Sequence, residues 1–114
     1  MTSKRLLIVD DHPIFREGLK QIVSAIDNIE VIAEVDTGDA AIEYIKRSPP
    51  DVVTLDLALP GVDGLKVLEF IVGNSDATSV VIITSYDDRA YLDRAFDLGA
   101  TGYVLKDSAT SDIV

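Results

Sequence analysis

Asp10-Asp11, Asp56, Thr84 and Lys106 stand at the ends of four short apolar runs, and their side chains share one chemical theme. Two carboxylates brought to about 4 Å at an effective dielectric near 20 repel by roughly 4 kcal/mol, so three in one place call for a cation or a proton. An all-oxygen set without His or Cys suits magnesium, which also takes phosphate oxygens as further ligands. Lys106 would add a fixed positive charge and Thr84 a hydroxyl donor, so the set would hold a phosphoryl group beside a carboxylate. Taken singly, each residue also has an ordinary reading. Asp behind a strand caps a helix or sits in a solvated loop, Thr closing a strand packs or bonds locally, and Lys after a strand lies at the surface.

The set acts together only if the elements bring it together. Runs rich in β-branched residues recur at Leu6–Val9, Val31–Val35, Val52–Leu55, Val80–Ile83 and Tyr103–Leu105, which predicts five strands covered on both faces. Between them lie segments of helical spacing. Phe15, Leu19, Ile22, Val23 and Ile26 share one face behind Pro13, a first-turn residue. Thr37 caps a second helix that turns Ala41, Ile42 and Ile45 inward and ends before Ser48-Pro49-Pro50. The third uses Leu65, Leu68, Ile71 and Val72 and stops at Gly73-Asn74; the fourth uses Ala90, Tyr91, Ala95 and Leu98 and stops at Gly99.

Such alternation implies parallel strands, right-handed crossovers and helices on both faces of an open sheet. Ligands of such sheets sit at the carboxyl ends of the strands, where strand order reverses. In the order 2-1-3-4-5 the first and third strands are neighbours, and Asp10, Asp11 and Asp56 share one mouth.

The 114 residues amount to one domain, with a fifth helix only starting at the end of the chain. With no cysteine, disulfide frameworks, thiolate metal sites and thiol nucleophiles are excluded. A formal net charge of -10 disfavours a nonspecific grip on nucleic acid or an anionic membrane. The apolar stretch Leu6–Val9 is too short for a signal peptide core or a membrane span, which reads as a cytoplasmic protein. His12, the only histidine, reads as a solvated residue at the start of the first helix.

Five segments together carry a family resemblance. They are Leu7-Ile8-Val9-Asp10-Asp11-His12-Pro13, Asp51-Val52-Val53-Thr54-Leu55-Asp56-Leu57, Pro60-Gly61-Val62-Asp63-Gly64, Ile82-Ile83-Thr84, and Gly99-Ala100-Thr101-Gly102-Tyr103-Val104-Leu105-Lys106. In that order they resemble the receiver domain of two-component response regulators over nearly the whole chain. The Asp-Asp-His-Pro opening and the Gly-Tyr-Val-Leu-Lys-Asp ending are most similar to the NarL/FixJ (LuxR-type) subfamily. The resemblance implies an α/β, flavodoxin-like (CheY-like), doubly wound five-stranded parallel sheet in the order 2-1-3-4-5, truncated in the fifth helix. It implies that Asp56 is the phosphoacceptor for a sensor histidine kinase or phosphotransfer protein. Magnesium would be held by Asp11, Asp56 and the backbone carbonyl of Ala58, with Asp10 acting through a coordinated water. Lys106 would pair with a phosphoryl oxygen, Thr84 would move to bond another, and Tyr103 would rotate inward as the aromatic switch. Output would pass to a C-terminal helix-turn-helix domain that binds DNA, with a homodimer as a further expectation; the domain itself would catalyse only its own phosphorylation and dephosphorylation.

The sequence departs from the family pattern at Asp107, where proline usually follows the lysine, often through a cis bond. Ala58 offers no side-chain hydrogen bond beside the phosphoryl group, and Tyr86 could screen it from water, so a retained phosphoryl group is expected. Rival readings fit less well. An aspartyl phosphatase of haloacid-dehalogenase type wants a second Asp where Ala58 stands, and a flavodoxin-like cofactor binder wants glycines and hydroxyls after the first strand. An interaction-only receiver would not need Asp10, Asp11, Asp56, Thr84 and Lys106 intact.

Overall fold

The computed structural model describes residues 3–85 and 88–106. Five strands alternate with four helices: β1 (Lys4–Val9), α1 (Pro13–Ser24), β2 (Ile29–Val35), α2 (Gly38–Arg47), β3 (Val52–Leu55), α3 (Gly64–Asn74), β4 (Ser79–Thr84), α4 (Arg89–Leu98) and β5 (Gly102–Leu105). All pairings are parallel, in the order β2-β1-β3-β4-β5. This is the doubly wound α/β sheet that the alternation predicts. The fifth helix expected beyond Lys106 lies outside the described residues.

Alternation along each strand divides the core in two. Leu7, Val9, Val53, Leu55, Val80 and Ile82 point to one side, where they bury Ala41 and Ile45 of α2, Val67, Leu68 and Ile71 of α3, and Ala95 of α4. Leu6, Ile8 and Ile83 point to the other side, against Leu19 and Val23 of α1. Full burial of such an aliphatic side chain stabilises by roughly 1.5–3 kcal/mol, so the central strands fix the register of everything at their ends. Beside α1 an apolar groove of about 290 Å³ runs over Val52, Val81 and Val104, with Thr54 in its lining.

The helix ends follow local chemistry. Pro13 opens α1, and Thr37 Oγ1 accepts a hydrogen bond from Ala40 N to cap α2. Asp63 and Asp88 cap α3 and α4 through the amides of Leu65 and Ala90. Gly99 closes α4 at a φ of 111°, a left-handed conformation that a side chain would strain. Gly64 lies so close to Leu57 that a Cβ there would sit 2.5 Å from the Leu57 Cα, which lets α3 press directly on the residue after Asp56.

Two expectations need correction. β1, β2, β4 and β5 begin one or two residues before their apolar runs, because ladder hydrogen bonds need only backbone; Lys4 and Arg5 pair with Ile29 and Glu30. Ala90 and Tyr91, which the spacing turns inward, are exposed. α4 packs on α3 and on β5, the edge strand, so little of the sheet remains to cover its first turn.

Candidate functional site

The carboxyl ends of β1, β3, β4 and β5 meet at one edge of the sheet, and the side chains there form a single cluster. Asp10 and Asp56 extend the ladder by one residue: Asp10 N donates to Val35 O, and Asp56 N to Val9 O. Their side chains therefore inherit the register of the buried strands. Asp10 is 3% and Asp56 2% exposed, so both carboxylates are almost cut off from water and need partners.

Both find one in Lys106. Lys106 Nζ lies 2.9 Å from Asp56 Oδ2 and 3.0 Å from Asp10 Oδ2. Lys106 is placed by its own amide, which donates to Thr84 O at 2.8 Å, just past the Thr84–Leu105 pair of the ladder. Its ammonium also sits 4.8 Å from the centre of the Phe15 ring, a cation–π contact from α1. The other Asp56 oxygen, Oδ1, accepts from Ala58 N at 3.0 Å, so the carboxylate is held from both sides. Arg16 Nη1 donates to the Asp10 carbonyl at 2.7 Å and its Nε pairs with Glu34 at 3.2 Å, tying the β1 end to β2. The Lys20 ammonium beside Glu34 holds that carboxyl below its ordinary value, with Arg16 adding to the effect.

The donor set fits a hard divalent cation. Three carboxylates against one ammonium leave two negative charges unbalanced while His12 is neutral. Asp11 Oδ1 is buried and makes no hydrogen bond to any described group, although His12 Nδ1 is 3.2 Å away. A buried oxygen left in that state is the position a cation would satisfy. Beside Asp11 a cavity of about 490 Å³ opens, lined by the Leu57–Asp63 loop and Tyr91, which leaves room for an incoming donor group.

Each expected residue has its place. Asp10, Asp11, Asp56 and Lys106 come together as the spacing requires, and the Ala58 amide touches Asp56. Thr84 is fully buried at the end of β4, next to the strand that carries Lys106. Tyr103 pairs with Ile82 and is half-buried against the core on the α2–α4 side. The expectations for Tyr86 and Asp107 fall outside the described residues.

His12 is solvated at the start of α1, as expected, and the structure adds that its ring also borders the site. It does start α1 and its side chain is 58% exposed, yet Nδ1 turns into the mouth, 2.8 Å from Lys106 Nζ and 3.0 Å from Asp10 Oδ1. The ring does not cap the helix, which leaves it available to the carboxylates. Phe15 and Arg16 were legible only as helix residues. Their offsets of three and four from His12 put all three on one helical face, and that spacing was the available signal.

Comparison with known proteins agrees with the fold. The family model described as the response regulator receiver domain matches residues 6–114. The chain is 40% identical over 110 residues to a transcriptional regulatory protein, NarL, of Mycobacterium tuberculosis, which covers 96% of this chain and 51% of that protein. It therefore spans about half the length of the curated relatives it matches. The solved signal receiver domain of NarL from M. tuberculosis superposes with a TM-score of 0.91 at 38% identity, covering 100% of this chain and 92% of that one. The isolated receiver domain of RcsB from Salmonella enterica, solved in the presence of a phosphomimetic, gives a TM-score of 0.91 at 28% identity, covering 98% and 83%. The chain thus belongs to the response regulator receiver domain family and is a receiver of the NarL/LuxR type.

Proposed function

We propose that Asp56 is the phosphoacceptor of a phosphorylation switch, taking its phosphoryl group from a phosphohistidine on a sensor histidine kinase or phosphotransfer protein. The observation that carries this is the convergence of Asp56 with Lys106, Asp10 and Asp11 at one mouth. One Asp56 carboxylate oxygen bonds to phosphorus as the phosphorus–nitrogen bond to the donor breaks; the imidazole leaves with that electron pair and takes up a proton. Phosphoryl transfer needs alignment and charge neutralisation more than covalent help. Ala58 N and Lys106 Nζ hold the carboxylate in place, and Lys106 then follows the phosphoryl oxygens.

Asp11, Asp56 and the Ala58 carbonyl would hold magnesium, with Asp10 reaching it through water. When bound, the ion neutralises the charge that gathers on the phosphoryl oxygens. Thr84 and Tyr103 carry the response. The Thr84 hydroxyl bonds a phosphoryl oxygen, and the Tyr103 ring turns inward beside it, reshaping the α4–β5 surface. Apart from its own phosphorylation and dephosphorylation the domain catalyses nothing, so its product is a change in partner affinity. The beneficiary is a C-terminal helix-turn-helix output domain that binds DNA in the cytoplasm, with a homodimer as the phosphorylated form. The transcriptional-regulator names of several relatives support that output. Among the described residues no helix is long and apolar enough to cross a membrane.

The test is intact-mass spectrometry after incubation with acetyl phosphate, with and without magnesium, on the wild type and Asp56→Asn. A single phosphate adduct that requires both magnesium and Asp56 is expected. An adduct that survives in Asp56→Asn overturns the assignment. No adduct, where a control receiver is modified, favours an interaction-only module.

A further inference from the structure

Arg16 reaches the site through its backbone. Nη1 donates to the Asp10 carbonyl at 2.7 Å, and that carbonyl belongs to the peptide joining Asp10 to Asp11. The same guanidinium donates from Nε to Glu34 Oε1 at 3.2 Å, while Lys20 holds the other Glu34 oxygen at 2.9 Å. Both side chains of the Arg16–Glu34 pair are largely shielded from water, at 21% and 28% exposure. The rest of Asp10 is tied as well: its amide donates to Val35 O, and its carboxylate oxygens take the His12 amide and the Lys106 ammonium. Because a peptide unit is planar, holding its carbonyl also sets the direction in which the chain enters Asp11. Asp11 Oδ1 accepts no hydrogen bond from a described group, so the aim of that side chain depends on the backbone beneath it.

We propose that Arg16 is a positioning residue for the phosphorylation of Asp56: it fixes the Asp10–Asp11 peptide, and through it the Asp11 carboxylate, while Glu34 keeps the guanidinium aimed. The inference rests on the phosphoacceptor reading of Asp56 given above. Arginine suits the task because its planar fork presents donors in fixed relative directions, here one toward β2 and one toward the end of β1. A lysine ammonium is a point charge on a flexible stem and has no such fixed pair of directions. Phosphoryl transfer depends on alignment, and a misplacement of about 1 Å can cost about a hundredfold in rate.

The rate of phosphorylation by acetyl phosphate, followed by intact mass, reads the effect. Arg16→Met should slow it by about tenfold or more, and Arg16→Lys, which keeps the charge, should recover little of that loss. Glu34→Ala should slow it less, and should cost nothing further when added to Arg16→Met, because the two side chains act as one unit. Lys20→Met breaks the neighbouring ion pair without touching the Arg16 fork, and should stay within about twofold of wild type, as for an ordinary surface pair. In carbonyl 13C NMR the Asp10 signal should move in Arg16→Met and hold still in Lys20→Met. A wild-type rate in Arg16→Met overturns the proposal, as does full rescue by Arg16→Lys, which would assign the effect to charge alone. An unmoved Asp10 carbonyl signal in Arg16→Met overturns it too, and in all three cases the phosphoacceptor reading stands. A wild type that takes no phosphate where a control receiver does overturns that reading and this proposal together.

Discussion

Replacing Lys106 by Met tests whether the site is the electrostatic unit its geometry implies. The Lys106 side chain is 12% exposed, and its ammonium contacts the carboxylates of two side chains that are 4% and 1% exposed. Each contact near 3 Å is worth roughly 5 kcal/mol of attraction at an effective dielectric of 20, while carboxylates under 5 Å apart repel by about 3 kcal/mol per pair or more. Against this stands the hydration that each buried ion gives up, several kcal/mol apiece, so the net effect is far smaller than the attraction. Removing one partner strands the others, at a cost of about 3–5 kcal/mol. The assay is urea unfolding in a chelator for wild type, Lys106→Met, Asp56→Asn and the double variant. Lys106→Met should lose about 3 kcal/mol in the wild-type background and clearly less in the Asp56→Asn background, where fewer charges are left bare. Magnesium should restore more stability to Lys106→Met than it adds to wild type, because a divalent cation then takes over the neutralisation. Losses that add to within about 0.5 kcal/mol across the cycle would refute the reasoning.

Other perturbations probe the scaffold. Gly64→Ala would place a Cβ against the Leu57 backbone, which no rotamer change relieves, and should cost about 1–3 kcal/mol in denaturant unfolding and also slow Asp56 phosphorylation. Thr37→Ala removes the acceptor for Ala40 N and should cost about 1 kcal/mol, with no effect on the phosphate adduct. The Glu34 carboxyl is held below its ordinary value of 4.5, first by its hydrogen bond to Lys20. Its contribution to stability is therefore fully present above that ordinary value and is lost as the pH falls through the lowered one. Carboxyl NMR of Lys20→Met should show the Glu34 titration moving up; an unchanged midpoint would mean that the pair is not formed in solution.

The sequence alone determined the order of the elements, because hydrophobic period and helix caps are local signals. Val52–Leu55 and Thr37 read directly as a buried strand and a helix cap, and the strand ends named Asp10, Asp11, Asp56, Thr84 and Lys106 as the groups to watch. The resemblance to receiver domains rested on the same segments, and through it the order 2-1-3-4-5 was available before any coordinates.

Tertiary structure decided what depends on distant parts meeting. That Lys106 reaches Asp56 across 50 positions of chain follows from parallel registers of β1, β3, β4 and β5, which no local pattern encodes. The exposure of Ala90 and Tyr91 follows from α4 lying at the sheet's edge, although their spacing matches that of a buried stripe. His12 shows the same limit. Its type and position at a helix start describe a solvated residue equally well, and only the placement of Asp10, Asp11 and Lys106 around it draws the ring into the site. Local free energy chooses the elements, while burial of the shared core fixes the angles and registers that bring charged groups within a few ångströms of one another.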